Sequence, residues 1–311
     1  MRDAVLRRGG WVPVESKDCE EDGKLNNGKI FRHDRSPNVY MWSLPPTAEF
    51  LVCDFVDKAF LKRLQGLPKL SEVIFMSRHA ARSGKPALTI HPIGNPRASK
   101  WTAQLGGKPG LCPPPSPRMG KMFRLLKQCA QDRGLTDEFD VTFEATHHGP
   151  FLDTPSMFVE IGSCEEHWCR EDAGECWADV LERFFSQDTA SDDSDDIVMS
   201  IGGGHYVPFM SDFVLKHKVT PGHMLPSYLM DDVSTDYDVT PEWEIAVREA
   251  IDSTQRAIAG SQRRLSIYVD KKSLKSEARK RVVELVAGAV GVSHHTTNKK
   301  DVVRPSTTSI N

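Results

Sequence analysis

Residues 119–161 read MGKMFRLLKQCAQDRGLTDEFDVTFEATHHGPFLDTPSMFVEI, and this stretch decides the fold class. Met119, Met122, Phe123, Leu126 and Ala130 recur at helical spacing, and Gly134 stands where a helix C-cap belongs. Phe139–Ala145 then alternates as a strand, and Ser156–Ile161 is a short apolar run of strand type. The same succession continues outward. Ser163 with Glu166 three residues on predicts a capping box opening a helix to about Phe185. Ile197–Ile201 predicts a strand running into Gly202-Gly203-Gly204. Thr240-Pro241 starts a helix with Trp243, Ala246, Val247, Ala250 and Ile251 on one face. Leu265–Val269 is a further strand, and Ser273 caps a last helix. Toward the N-terminus, Glu72–Met76 and Ala87–His91 predict buried strands, and Glu49–Phe55 another; residues 1–48 show little periodicity. Strands alternating with helices give an α/β protein with a mostly parallel or mixed central sheet flanked by helices. One domain is expected over residues 1–291, with an acidic solvated loop at 188–196 and a disordered tail at 292–311.

Composition narrows the function classes. Forty Lys+Arg against 43 Asp+Glu leave the 311-residue chain at −3, so a general electrostatic coat for nucleic acid is excluded and any such contact is a local patch. No apolar run approaches the ~18 residues of a membrane span. Met1–Gly10 carries three arginines and no apolar core of a secretory signal. Seven cysteines without a Cys-x-x-Cys pair match neither a zinc ribbon nor a disulfide framework; reduced thiols in the cytoplasm are expected.

Six of the eleven histidines, His79, His91, His147, His148, His205 and His223, fall at or just past predicted strand ends. Ligands of open α/β sheets bind there, and convergent imidazoles are what a metal or acid–base site needs. Glu144 precedes His147-His148 in the densest segment, EATHHGP. Consecutive histidines on an extended chain diverge, so one of the two is expected to bind a given metal. Glu160 lies inside the apolar run Met157–Ile161, where a carboxylate is costly unless paired or metal-bound. Gly202–Gly204 could present backbone N–H groups to an oxyanion. Neither a P-loop nor a Gly-x-Ser-x-Gly elbow is present. Arg78 could clamp an anion, and Lys271, Lys272 and Lys275 belong to a late basic cluster suited to a phosphate backbone.

Seven segments occur in order: Ser77-Arg78-His79, PALTIHPIG (86–94), GGKPG (106–110), EATHHGP (144–150), MFVEIGS (157–163), IGGGHY (201–206) and Gly222-His223. Together they resemble the D-aminoacyl-tRNA deacylase family of archaea and plants, over about Gly10 to Leu285. The resemblance implies a fold akin to peptidyl-tRNA hydrolases and nucleoside phosphorylases. It also implies zinc-dependent hydrolysis of the ester of D-aminoacyl-tRNA, releasing a free D-amino acid and tRNA, with one or two Zn2+ ions. From ligand chemistry and motif position, His147, His148, Glu160 and His205 are the first expected metal ligands, with Glu144, His91 and His223 behind them. Glu144, His79, Gly203 and Gly204 take catalytic roles; Arg78, Lys271, Lys272 and Lys275 contact tRNA. A cytoplasmic monomer without an obligate protein partner or membrane is expected. Members of the family begin with an apolar strand before the segment matching Gly10-Trp11, and here only nine residues precede Gly10. Met1–Gly10 is therefore expected to be irregular, beside an unpaired sheet edge. Two other functions fit the same residues: an inactive tRNA-binding homologue, and a hydrolase or phosphorylase of small molecules on the same scaffold.

Overall fold

The computed structural model describes residues 1–16, 25–45, 48–64, 66–186, 195–231 and 240–302. In chain order the elements are α1 (Arg2–Arg7), β1 (Trp11–Val14), β2 (Lys29–His33), β3 (Tyr40–Ser43), α2 (Val56–Arg63), β4 (Val73–Arg78), β5 (Ala87–His91) and α3 (Met119–Asp132). There follow β6 (Asp140–Phe143), β7 (Ser156–Gly162), α4 (Glu165–Trp168), α5 (Glu171–Ser186), β8 (Asp196–Ile201), α6 (Pro208–Lys216) and β9 (Val219–Leu225). The last are α7 (Glu242–Ala257), β10 (Leu265–Val269), α8 (Ser276–Ala287) and β11 (Val292–Thr296).

The strands form a mixed sheet β4-β7-β5-β6, a parallel sheet β11-β10-β8-β9 and a small antiparallel sheet β1-β2-β3. In the mixed sheet β7 runs parallel to β4 and antiparallel to β5, which pairs in parallel with β6. β5, β7 and β9 are buried along their whole length. Such strands read as apolar runs because helices or loops cover both faces. Period-two alternation then sorts their side chains. Leu88 and Ile90 of β5 and Met157, Val159 and Ile161 of β7 join α3 and α5 in one core. Thr89, His91, Phe158 and Glu160 take the opposite face, since Thr89 pairs with Glu160 and His91 with Phe158. Phe158 stacks on Phe75 of β4 on that face, with ring centroids 4.9 Å apart.

In the parallel sheet, Ile197, Met199 and Ile201 of β8 and Ile267 and Val269 of β10 face α7 and α8, while Val198 faces the core shared with α3 and α6. The end of β6 ties the two large sheets together. The Ala145 N–H donates to the His205 carbonyl (2.7 Å) and the Thr146 N–H to that of Met224 (2.8 Å).

Several expectations change. Met1–Gly10 is not irregular: residues 2–7 form α1, which buries Ala4 and Val5 against α5. β1 pairs with β2 in the small sheet, and β4 ends the mixed sheet on one side. Phe50–Val52 is a short 3-10 turn rather than a strand. The helix expected from Ser163 to Phe185 is broken between α4 and α5, where Arg170 is pulled aside to Glu138 and Asp172. The Ser163 hydroxyl donates to the Lys85 carbonyl instead of capping. Ser273 likewise caps nothing; its hydroxyl donates to the Asp270 carbonyl. The polar stretch from Ser293 supplies β11, because β10 offers it a parallel partner edge. Residues 188–194 of the acidic segment and 303–311 of the tail lie outside the described residues. Asp195 and Asp196 pair with Arg124 and Arg264.

Candidate metal and acid–base site

Two buried carboxylates form the floor of the site. Glu160 projects from the middle of β7, and Glu144 follows β6; both are at most 1% exposed. Among the described residues neither carboxylate has a well-aligned hydrogen bond. Imidazoles surround them: His205 Nε2 lies 3.0 Å and His147 Nε2 3.4 Å from Glu144, and His91 Nε2 lies 3.8 Å from Glu160. His79 Nδ1 stands between the two, 3.2 Å from Glu144 and 3.6 Å from Glu160. The possible ligand atoms of His91, His147 and His148 lie within 4.8 Å of one another, as do those of His79, Glu144 and His205 and those of His91, Glu144 and Glu160.

The histidines do not all arrive from carboxyl ends on one side. β5, β6 and β8 deliver His91, His147-His148 and His205 as they end, but β4 runs antiparallel to β5, so His79 enters from the opposite direction. His147 and His148 also do not diverge. The chain leaves the extended conformation at His148 (φ 23°) and turns at Gly149 (φ 102°), so both rings face His91. A Cβ on Gly149 would lie 2.8 Å from both Ile93 and Phe158, so a larger residue could not make this turn.

Hydrogen bonds fix which nitrogens are free. His91 Nδ1 donates to the Pro92 carbonyl (3.1 Å) and His147 Nδ1 to that of Ala145 (2.7 Å), leaving each Nε2 lone pair toward the carboxylates. Carbonyls commonly orient metal-binding imidazoles in this way. Burial, reinforced by the neighbouring imidazoles, pushes His147 well below the ordinary histidine pKa and His148 down to about 4. Both are thus in the neutral, ligating form near pH 7. Burial also opposes charge on Glu144, but the facing imidazole of His205, with His79 behind it, outweighs it and holds the carboxyl below the ordinary carboxylate range. On His79 burial is outweighed by Glu160 and Glu144, which raise its pKa.

Buried carboxylates and a buried imidazole nitrogen without aligned partners are costly unless a cation compensates them. Nitrogen and oxygen ligands around such a point suit zinc.

Residues 67–293 match the sequence profile of the D-aminoacyl-tRNA deacylase family. The chain belongs to that family. A D-aminoacyl-tRNA deacylase of Arabidopsis thaliana is 38% identical over 91% of this chain and 90% of its own length. One of Pyrococcus abyssi is 32% identical over 84% of each. The crystal structure of a conserved protein of unknown function superimposes with a TM-score of 0.73 at 26% identity, covering 97% of this chain and 90% of that one.

As a member of the deacylase family the protein is a hydrolase. Not every residue expected at its site is there. His223 is outside the cluster of ligand atoms: Nδ1 is 3.1 Å from the Thr146 hydroxyl and Nε2 3.2 Å from that of Ser253. Burial lowers its pKa to about 3. The Gly203 N–H donates to the Ser273 hydroxyl (2.8 Å) and that of Gly202 to the Leu225 carbonyl, so neither is available to an oxyanion. Gly204 is exposed, and among the described residues its N–H has no acceptor. Lys271 and Lys272 are exposed on the turn that packs against this glycine loop through Asp270 and Ser273; Lys275 is 3.9 Å from Asp231. Arg78 is exposed, with its guanidinium 4.8 Å from the Trp168 ring.

Two neighbours escaped the sequence. The Tyr206 hydroxyl is 2.9 Å from His79 Nε2, and Trp168 Nε1 donates to the His79 carbonyl. Only the position of Tyr206 beside His205 in IGGGHY could have marked it. Among the described residues no helix is long and apolar enough to cross a membrane.

Proposed function

We propose that the protein hydrolyses the ester between a D-amino acid and the 3′-terminal ribose of tRNA, using one or two zinc ions held by the His/Glu cluster. The observation that carries the metal is the convergence of free imidazole nitrogens on two buried carboxylates that lack aligned hydrogen bonds. Family membership supports the substrate. His91, His147, His148, His205, Glu144 and Glu160 would hold the metal. Zinc supplies Lewis acidity and a water whose pKa falls to ~7.

The chain's own groups account for the proton. With Nδ1–H turned to Glu144, the protonated form of His79 donates Nε2–H to the Tyr206 oxygen, which leaves the hydroxyl proton for the departing group. Burial, with the Glu144 charge, raises the Tyr206 pKa, so this hydroxyl keeps its proton at neutral pH. Tyr206, His79 and Glu144 therefore form a path from the half-buried mouth to the buried floor. Along it a proton reaches the departing ribose oxygen, while His79, with its raised pKa, replenishes Tyr206. Lys271, Lys272 and Arg78 contact the RNA backbone at the rim. Action as a cytoplasmic monomer is part of this proposal; the six described cysteines are free thiols, as a reducing compartment favours.

The test is release of D-tyrosine and L-tyrosine from charged tRNA by native, chelated and zinc-restored protein. D-selective release should vanish on chelation and return with zinc. Full activity in a verified metal-free sample would refute the metal. His148→Ala and His205→Ala should each lose at least ~10–100-fold in zinc affinity or rate.

A further inference from the structure

The GGKPG segment (106–110) takes no part in the metal cluster, yet it is built against it. Gly106 and Gly107 both have positive φ, 67° and 64°. A Cβ on Gly106 would lie 1.5 Å from the Leu51 carbonyl oxygen, and one on Gly107 2.5 Å from that of Gly149. The loop is thus wedged, backbone to backbone, between the turn at Phe50–Val52 and the residue that follows His148. Asn95 Nδ2 and Trp101 Nε1 donate to the Gly106 carbonyl at 2.7 and 2.9 Å, and the Gly149 N–H donates to that of Leu105 at 2.8 Å.

What this anchoring presents is Lys108. Its ammonium lies 4.4 Å from the centre of the Phe55 ring and 4.9 Å from that of Phe151. Among the described residues no carboxylate pairs with it. The two rings meet edge to face at 5.6 Å. Phe55 is held at φ 58°, in the left-handed region that a bulky residue avoids, by its N–H to the Phe151 carbonyl; the Phe151 N–H in turn donates to Asp54. All three side chains are half-buried. Beyond Phe151 opens a cavity of about 380 Å³, lined by Leu111, Leu152, Pro155 and Arg256 among others.

We infer that Phe55, Phe151 and Lys108 form the platform that receives the terminal nucleotide of the RNA 3′ end. This rests on the proposed hydrolysis of an aminoacyl ester. Phe151 is three residues from His148, at most about 11 Å along the chain. An ester on a ribose at the cluster therefore leaves its base within reach of the rings. Unpaired bases are recognised by stacking on aromatic side chains, and every base has a face to offer. An ammonium already packed on the rings can turn to the phosphate as the base takes its place.

The experiment compares D-tyrosyl-tRNA with D-tyrosine methyl ester, which has no nucleotide, in zinc-loaded wild-type, Phe151→Ala, Phe151→Tyr and Lys108→Ala proteins. Phe151→Ala should lower the ratio of kcat/KM for tRNA ester to that for methyl ester by about 5- to 100-fold, mostly through KM. Phe151→Tyr should keep the ratio. Lys108→Ala should flatten the salt dependence for tRNA alone, by about 0.7 in log–log slope. An unchanged ratio in Phe151→Ala, whether or not both rates fall, overturns the platform. Should Phe151→Ala fail to fold, Phe151→Leu and Lys108→Ala decide it in the same assay. Binding of the trinucleotide CCA gives an arm independent of turnover. If wild type hydrolyses neither ester yet binds CCA, and Phe151→Ala weakens that binding, the hydrolase reading falls and the platform stands. If wild type binds no CCA, the platform falls.

Discussion

Glu160 sits mid-strand among Met157, Phe158, Val159 and Ile161, where an unpaired carboxylate costs several kcal/mol. Such a residue persists only where the surroundings use its charge. The same logic applies to Tyr206, whose hydroxyl meets His79 instead of bulk water. Tyr206→Phe keeps the ring and removes the proton donor. It should lower kcat for D-tyrosyl-tRNA about 100-fold with little change in KM, the size expected of one general-acid contribution. Steady-state kinetics check it, and an unchanged kcat removes Tyr206 from the reaction. His223 serves the fold instead, and its signature is thermodynamic. Buried between two hydroxyls, it stays neutral in the folded state down to about pH 3, whereas the unfolded chain protonates it near pH 6.5. Above pH 6.5 the two states agree and the group contributes no pH dependence. Between 6.5 and 3 only the unfolded state takes up the proton, so stability falls by about 1.4 kcal/mol per pH unit. His223→Gln removes this response. The stability gap between wild type and variant should shrink by about 2 kcal/mol from pH 7 to pH 5 in urea unfolding. A constant gap would show that His223 titrates alike in both states.

At the scale of elements, α1 shows how a short segment earns its structure from its neighbour. Six residues cannot hold a helix alone. Ala4 and Val5 are buried against α5, and Arg7 and Arg8 reach Glu175 at 2.8 and 2.9 Å, with Arg8 also 2.6 Å from Asp179. Removing residues 1–9 should therefore cost about 3 kcal/mol, most of it from lost apolar burial, since exposed ion pairs add little. A denaturant midpoint equal to that of the full chain would refute this. Nothing in MRDAVLRRGG announces the helix, because its partner face on α5 lies far along the chain. The strands with strong local patterns were legible: β5 and β10 keep the expected limits, and α3 stops before Gly134. Elements whose order comes from tertiary pairing were not. β11 exists because β10 has a free edge, and α6 and β9 carry no period that marks them off. For the site, residue types at strand ends identified the cluster. The turn at His148 and the reversed direction of β4, which decide how the rings converge, depend on contacts no local pattern encodes.

Across the whole molecule the formal charge is −3, so at long range the protein does not attract a polyanion, and affinity for RNA must come from where cations lie. The late basic cluster is not uniform in this respect. Arg264 is paired with Asp196, and Arg263 donates to the Pro117 carbonyl. Arg281 lies over the Trp243 ring. Lys271 and Lys272 remain exposed on the turn after β10, against the glycine loop that leads to His205. The same loop runs on to His205, whose carbonyl accepts from the Ala145 N–H at the end of β6, and the proposed RNA contact lies at the rim of that loop. Each phosphate neutralised by a lysine releases condensed counterions, and log affinity then falls with log salt by roughly 0.7–0.9 per contact. Lys271→Ala with Lys272→Ala should raise KM for charged tRNA and reduce that slope by about 1.5 units, leaving kcat at saturating tRNA intact. Arg264→Ala serves as the control, since its charge is already met by Asp196 and its loss should leave the slope alone. The measurement is KM between 50 and 200 mM salt, about the range over which such contacts are resolved. An unchanged slope in the double variant would assign both lysines to a solvated surface. A slope lost equally in Arg264→Ala would mean that the field of the whole cluster, and not contact at this rim, draws the RNA in.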